Sequence, residues 1–204
     1  MAERGRPRGF DKENALLRAM EVFWAKGYEG ASMSDLTSAM GIASPSLYAA
    51  FGSKEQLFRE SLKLYETIES PGIWGAVENA PTAYDAVKGF LIETARVFSR
   101  PGKPPGCLVV LSALHATETS DRVRGELIDL RAQTVTELAK RLDRGRQAGE
   151  IKADAEVNAI AAYFVTVQQG MSIQARDGAT EDHLLAIARA ALAAWEPLTG
   201  AKRA

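Results

Sequence analysis

Cysteine is nearly absent from this 204-residue chain, which carries only Cys107. One thiol cannot form a disulfide within the chain, so the disulfide-stabilised folds of small secreted proteins are excluded. We therefore expect the protein to reside in a reducing compartment. Long apolar runs are also missing: no stretch approaches the roughly 20 residues that span a bilayer, and no hydrophobic signal core follows the N-terminus. We therefore expect a cytoplasmic protein that does not enter the membrane.

Histidine is scarce, and neither His115 nor His183 is spaced as a metal ligand with a second His or Cys. No phosphate-binding loop is present, because the Gly/Pro-rich residues 101–106 are not followed by Lys and Ser or Thr. The chain is therefore predicted not to be an enzyme and to hold neither a metal nor a cofactor. Excess positive charge is absent too, since the net charge is −1, and only a local arrangement could support nucleic-acid binding.

Apolar residues make up 46% of the chain and recur with helical periodicity. Ser, Thr and Asp stand at the predicted helix starts, and Gly or Pro at the ends. No segment alternates apolar and polar residues as a half-buried strand does, so the predicted fold class is all-α. The predicted helices occupy residues 11–26, 33–40, 44–51, 54–70, 82–99, 107–116, 120–147, 154–176 and 180–195, with an irregular stretch at 74–81.

The helices fall into two groups. Three short ones form an N-terminal domain, residues 1–60, which is joined to a larger helical domain, residues 61–204. The last two helices carry apolar stripes wider than one buried face needs, and small residues such as Ala190 and Ala193 allow helices to approach closely. These two helices are predicted to form a homodimer interface, and a buried hairpin within a monomer is the alternative.

Residues 32–58 have the pattern of a helix-turn-helix motif. Gly41 stands where the chain must reverse direction, and Ile42 fills the angle between the two helices. In this motif the second helix enters the major groove of DNA. The predicted helix starts at Ser44 and Ser53 could each hold a phosphate oxygen through backbone N–H groups.

The string from Ser46 to Phe58, which reads SLYAAFGSKEQLF, resembles the recognition helix and the start of the fourth helix in the TetR family of bacterial regulators. The resemblance covers residues 11–58. By position it implies that Tyr48 and Lys54 contact phosphates. The full DNA-facing set implied in this way is Ser34, Ser44, Pro45, Ser46, Tyr48, Ala50 and Lys54.

The predicted recognition helix has no Arg, Asn or Gln for bidentate base contacts, so part of the specificity must arise elsewhere. The N-terminal arm RGRPR resembles the core of an AT-hook. We expect Arg4, Arg6 and Arg8 to enter the minor groove of A·T-rich DNA. The alternative is a solvated arm that makes no contact.

The resemblance also implies an effector site between helices of the larger domain. Each candidate residue could equally serve only the core, and Cys107 is either a buried structural thiol or a redox-sensing thiolate. Because the set is poor in charge, it predicts a largely apolar or aromatic effector. The candidates are Trp74, Tyr84, Phe98, Cys107, Leu111, His115, Phe164, Gln168 and Met171.

Together these features predict a ligand-responsive transcriptional regulator, a repressor whose partners are double-stranded operator DNA and a small effector. A dimer would place two helix-turn-helix units in successive major grooves of a pseudo-palindromic operator, about 34–36 Å apart. Effector binding would release the dimer from the operator. The alternative is a helical protein–protein interaction module without specific DNA binding.

Overall fold

The computed structural model describes residues 10–112 and 121–201, and within them every regular element is a helix, which confirms the all-α prediction. None of the described helices combines the length and apolar content that crossing a bilayer requires. The helices are α1 (Lys12–Gly30), α2 (Met33–Met40), α3 (Ser44–Phe51), α4 (Lys54–Glu78), α5 (Ala83–Phe98), α6 (Leu108–Ser112), α7 (Asp121–Gln147), α8 (Val157–Arg176), α9 (Glu181–Leu192) and α10 (Trp195–Thr199).

Helix α1 packs against α2 and α4 in the N-terminal unit. Asp11 caps its start, where the carboxylate accepts hydrogen bonds from the backbone N–H groups of the first turn. Phe23 is completely buried and packs edge-on against Phe58, with ring centroids 5.0 Å apart. Gly27 leaves the helical conformation with φ of +73°, and a further turn then runs to Gly30. The helix predicted to end at Lys26 therefore extends by this kinked turn.

Helix α4 runs from the N-terminal unit deep into the larger one. The predicted break at residues 70–72 is wrong, and so is the irregular stretch at 74–81, because α4 continues through Pro71 to Glu78. Proline removes one helical hydrogen bond, but burial of Ile73 and Val77 offsets the loss. Trp74 packs against Phe90 of α5, with ring centroids 5.9 Å apart.

Helices α5, α7, α8 and α9 enclose the core of the larger unit. The predicted stripes on α8 and α9 are largely used within the chain, where Phe164, Met171, Leu184 and Ala188 are completely buried. Helix α8 begins at Val157, three residues later than predicted. The predicted last helix ends early, and α10 follows it as a separate short helix.

Contacts of Trp24 help to join the N-terminal unit to the larger one. The indole Nε1 of Trp24 donates a hydrogen bond to the carbonyl oxygen of Gly106, 3.1 Å away. The Trp24 ring also stands edge-on against Tyr65 of α4, with centroids 4.9 Å apart. Gly106 has a φ of +80°, and an added Cβ would lie 2.6 Å from the carbonyl oxygen of Ser172. This glycine therefore allows the close approach of the 101–106 loop to α8.

Candidate DNA-binding surface and effector cavity

The turn between α2 and α3 has the geometry that the sequence predicts. Gly41 adopts the left-handed conformation with φ of +65°, and its N–H bonds back to the carbonyl groups at the end of α2. Ser32 and Asp35 cap the start of α2 reciprocally through side chain and backbone. Leu47 is completely buried, which fixes the rotation of α3 and decides which of its residues face outward.

The hydroxyl groups predicted to face DNA are available. Ser34, Ser44 and Tyr48 are exposed, and Tyr48 retains 49% of its accessible surface although it is a large aromatic residue. None of these three hydroxyls has a hydrogen-bond partner among residues 10–112 and 121–201. Of the remaining predicted contacts, Pro45 is exposed and Ser46, Ala50 and Lys54 are half-buried.

Lys54 lies at the start of α4, immediately after the Ser53 cap. Its ammonium nitrogen sits 4.6 Å from the centre of the Tyr28 ring, a favourable cation–π distance. Desolvation lowers the pKa of Lys54 from its usual value. Tyr28 thus orients the charge beside the recognition helix. The predicted minor-groove residues Arg4, Arg6 and Arg8 lie outside the described residues.

A cavity of about 130 Å³ lies between α4, α5, α7 and α8, beside Cys107. Its apolar wall includes four aromatic rings, those of Tyr65, Trp74, Phe90 and Phe98. An outer groove between α4 and α7 shares part of this lining. The residues common to the two are Glu66, Ser70, Trp74, Gln133 and Glu137.

Charged and polar side chains also line this cavity. Glu69 is buried and pairs with Arg100, whose Nη2 lies 2.6 Å from Oε2. Arg131 has a buried Nη1 without a hydrogen-bond partner in the described part of the chain, and desolvation lowers its pKa. Gln168 is only 8% exposed, and its amide likewise has no partner among the described residues. Burial raises the pKa of the Cys107 thiol, which favours the neutral form.

Both units of the chain match known sequence families. The family described as "Bacterial regulatory proteins, tetR family" matches residues 15–61, and "Tetracyclin repressor-like, C-terminal domain" matches residues 83–192. The chain belongs to the TetR family. TetR-family proteins are DNA-binding regulators that act as homodimers and respond to small-molecule effectors.

Several TetR-family relatives cover almost the whole chain. The HTH-type transcriptional repressor ComR of Escherichia coli is 32% identical over 96% of this chain and 93% of its own length. The repressor BdcR of the same organism is 31% identical, over 90% of this chain and 88% of its own. A cysteine mutant of the TetR-family regulator CifR, solved with a 26-base-pair operator, is 45% identical with a TM-score of 0.90, covering 93% of this chain and all of that one.

Four of the nine predicted effector residues of this TetR-family chain line the cavity: Trp74, Phe98, Cys107 and Gln168. Tyr84 lies elsewhere, because its ring packs on Trp195 at 5.5 Å. Leu111, Phe164 and Met171 are not part of this wall. The predicted residue His115 falls outside the described residues.

The wall of this cavity is not poor in charge, in contrast to the nine predicted residues, and the effector class stays a prediction. Glu66, Glu69, Glu137 and Arg131 all line the cavity. The burial of Glu69 could have been predicted from helical spacing. Glu69 lies four residues from Tyr65 and four from Ile73, so the three share one helix face, and both neighbours are buried. A carboxylate on an apolar helix face is unusual and indicates a special site. No comparable pattern points to Arg131 on the highly charged α7.

Proposed function

We propose that the chain is a transcriptional repressor that binds a pseudo-palindromic operator as a homodimer in the bacterial cytoplasm and has no catalytic role. The division into a DNA-binding domain, residues 1–60, and an effector and dimerisation domain, residues 61–204, belongs to this proposal. The observation that carries it is the row of exposed, unpartnered hydroxyls on a helix-turn-helix whose relative CifR is solved on operator DNA.

The proposed DNA contacts divide by chemistry. Small groups at the start of α3 reach base edges, while Tyr48 and Lys54 bind phosphates and set the register. The arm residues Arg4, Arg6 and Arg8 enter the flanking minor groove. The base-facing and supporting residues of the motif are Ser34, Ser44, Pro45, Ser46 and Ala50.

The first test is selection of genomic fragments by the purified full-length protein. Enrichment of an inverted repeat supports the proposal. Lys54→Ala should then weaken binding to that repeat and reduce the slope of log affinity against log salt by about 1, because one phosphate contact is lost. Lys63→Ala, an exposed lysine farther along α4, is the matched control and should leave the slope unchanged. Failure to enrich any sequence at low salt contradicts operator binding.

We also propose that the cavity beside Cys107 is the effector site. Its wall residue Tyr65 touches Trp24 of α1, and Cys107 follows the glycine whose carbonyl accepts the Trp24 hydrogen bond. A ligand that shifts this wall acts directly on the helix supporting α2 and α3. Occupancy would thereby favour a dimer whose recognition helices no longer match the operator spacing.

The dimer is proposed to form through the outer faces of α8 and α9. Tyr163 and Ile173 are exposed large residues on α8, and Ala190 is exposed on α9, so the face combines apolar area with small side chains. Ile173→Asp should yield monomers in sedimentation analysis and lose operator affinity, whereas Ile128→Asp, on α7, should remain dimeric. A dimeric Ile173→Asp protein contradicts this interface.

A further inference from the structure

We propose that the cavity selects a compact, uncharged molecule that presents a hydrogen-bond acceptor such as a carbonyl oxygen to Arg131 and Gln168 and an aromatic or other apolar body to the surrounding rings. This inference rests on the proposed effector role of the cavity. It assigns the chemistry of the ligand, which the fold alone does not.

The size of the cavity limits the ligand to a small molecule. An engineered protein cavity of about 150 Å³ accommodates benzene, and the present cavity measures about 130 Å³. A single ring with a short substituent therefore fills it. Trp74, Phe90 and Phe98 provide the ring contacts that an aromatic body needs.

Two unpartnered polar groups determine which substituent is favoured. The buried Nη1 of Arg131 can only donate, and the amide of Gln168, a residue that is 8% exposed, can donate as well as accept. Neither group has a partner in the part of the chain that the structure describes. A buried polar group without a partner is costly, so a ligand acceptor placed here gains more than it would at the surface.

Charges of both signs line the cavity and disfavour a ligand with a net charge. Arg131 would repel a cation inside the cavity, whereas the carboxylates of Glu66, Glu69 and Glu137 would repel an anion. The outer groove likewise carries both signs, because Lys140, Arg141 and Arg144 line it together with Glu66, Glu78 and Glu137. Either kind of ion would therefore meet at least one like charge at close range. The combination leaves a neutral dipolar molecule as the ligand that meets Arg131 without an electrostatic penalty.

Four compounds of nearly equal size separate these possibilities: acetophenone, ethylbenzene, benzoate and 1-phenylethylammonium. Each is titrated against the full-length dimer, with dissociation constants from tryptophan fluorescence and with release of the selected operator as the second readout. We expect acetophenone to bind most tightly, about ten-fold better than ethylbenzene, because it adds a hydrogen bond to a charged donor. It should also release the operator at the lowest concentration.

Matched variants locate the acceptor contact. Arg131→Met should weaken acetophenone binding about ten-fold and leave ethylbenzene binding unchanged, since only the charged donor is lost. Arg124→Met makes the same change at an exposed site on α7 and should alter neither. Gln168→Leu should weaken acetophenone less, and it supplies an independent variant should Arg131→Met fold poorly.

The outcomes distinguish this inference from the proposed function. Equal or tighter binding of benzoate or of 1-phenylethylammonium overturns it, as does acetophenone binding unaffected by either variant. Binding of none of the four compounds by a protein that holds its operator overturns the ligand assignment alone. A protein that binds no operator without any compound present contradicts the proposed function instead.

Discussion

The DNA-binding unit and the larger unit differ in how many of their buried polar side-chain atoms have a hydrogen-bond partner. In the described residues of the DNA-binding unit, the only buried side-chain atom without a hydrogen bond is Arg59 Nε, which lies 2.7 Å from a Glu126 carboxylate oxygen. The unpartnered hydroxyls of this unit lie on the surface. In the larger unit, Thr94, Ser112, Arg131 and Trp195 each bury a polar atom without a partner among the described residues. Of these four residues, only Arg131 lines the cavity. A buried polar atom without a partner costs stability, so the interior of the larger unit carries a cost that the support of the DNA-facing surface does not.

The largest effect is expected at the junction of the two units. Gly106→Ala forces a side chain onto a φ of +80° and within 2.6 Å of the Ser172 carbonyl oxygen. Conformational strain and overpacking together should lower the free energy of unfolding by about 3 kcal/mol, measured by urea denaturation of the dimer. Gly178→Ala, at a φ of +96° with open space around it, is the control for strain alone and should cost clearly less.

Thr94→Val tests whether an unpartnered buried hydroxyl lowers the stability of the larger unit. Thr94 is completely buried and its Oγ1 has no partner in the described part of the chain, so an isosteric apolar side chain removes a desolvated group. The free energy of unfolding should rise by about 1 kcal/mol. Thr199→Val is the matched control, because the Thr199 Oγ1 donates to the Trp195 carbonyl at 2.8 Å, and this change should destabilise. If both variants destabilise alike, Thr94 is not an unsatisfied group.

In the DNA-binding unit, removing a hydroxyl group should lower stability, in contrast to the gain expected for Thr94→Val. Ser32→Ala deletes the cap of α2, so the free energy of unfolding should fall by about 1 kcal/mol in thermal or urea melts. Ser38→Ala changes an exposed serine within the same helix and should be neutral. An equal loss in the two variants would mean that the cap contributes nothing specific.

The smallest effect is a pH dependence from the same cap. Hydrogen bonds from Lys26 and Ser32 lower the pKa of Asp35 from 3.8 to about 2. Because the folded-state pKa is depressed, the stabilisation is complete above the unfolded pKa and is lost as the pH falls through about 2. The stability difference between the wild type and Asp35→Asn should therefore narrow below pH 4 in urea titrations. Lys26→Met should reduce this narrowing, and an unchanged profile would contradict the assignment.

The helix-turn-helix could be predicted because its determinants are local in sequence. Gly41, Ser32 and Ser53 act within a few residues of the turns and helices that they delimit. The prediction failed at Pro71, where a residue that normally ends a helix is overridden by packing of α4 against α5. Tertiary packing keeps α4 helical through Pro71, and the periodicity of the sequence carries no information about that packing.

The cavity was predicted in part because its wall is assembled from distant segments. Cys107 and Gln168 face the same space from different elements, and aromatic residues such as Phe164 serve the core instead. Tyr84 has the same residue chemistry as a pocket aromatic, yet the position of α10, a helix that the sequence did not predict, places it against Trp195. Which apolar residue meets a cavity depends on helix rotation and neighbours, and these are non-local.

The hydrogen bond from Trp24 to Gly106 has a consequence for how the chain folds. Trp24 lies in the segment that matches the DNA-binding family, yet its indole is only 1% exposed because loop and α4 residues of the other unit cover it. A fragment ending at residue 60 would expose that ring to water and leave its N–H without the carbonyl. Since the larger unit covers Trp24, we expect residues 10–60 to be less stable alone than in the whole chain and the two units to melt as one cooperative unit.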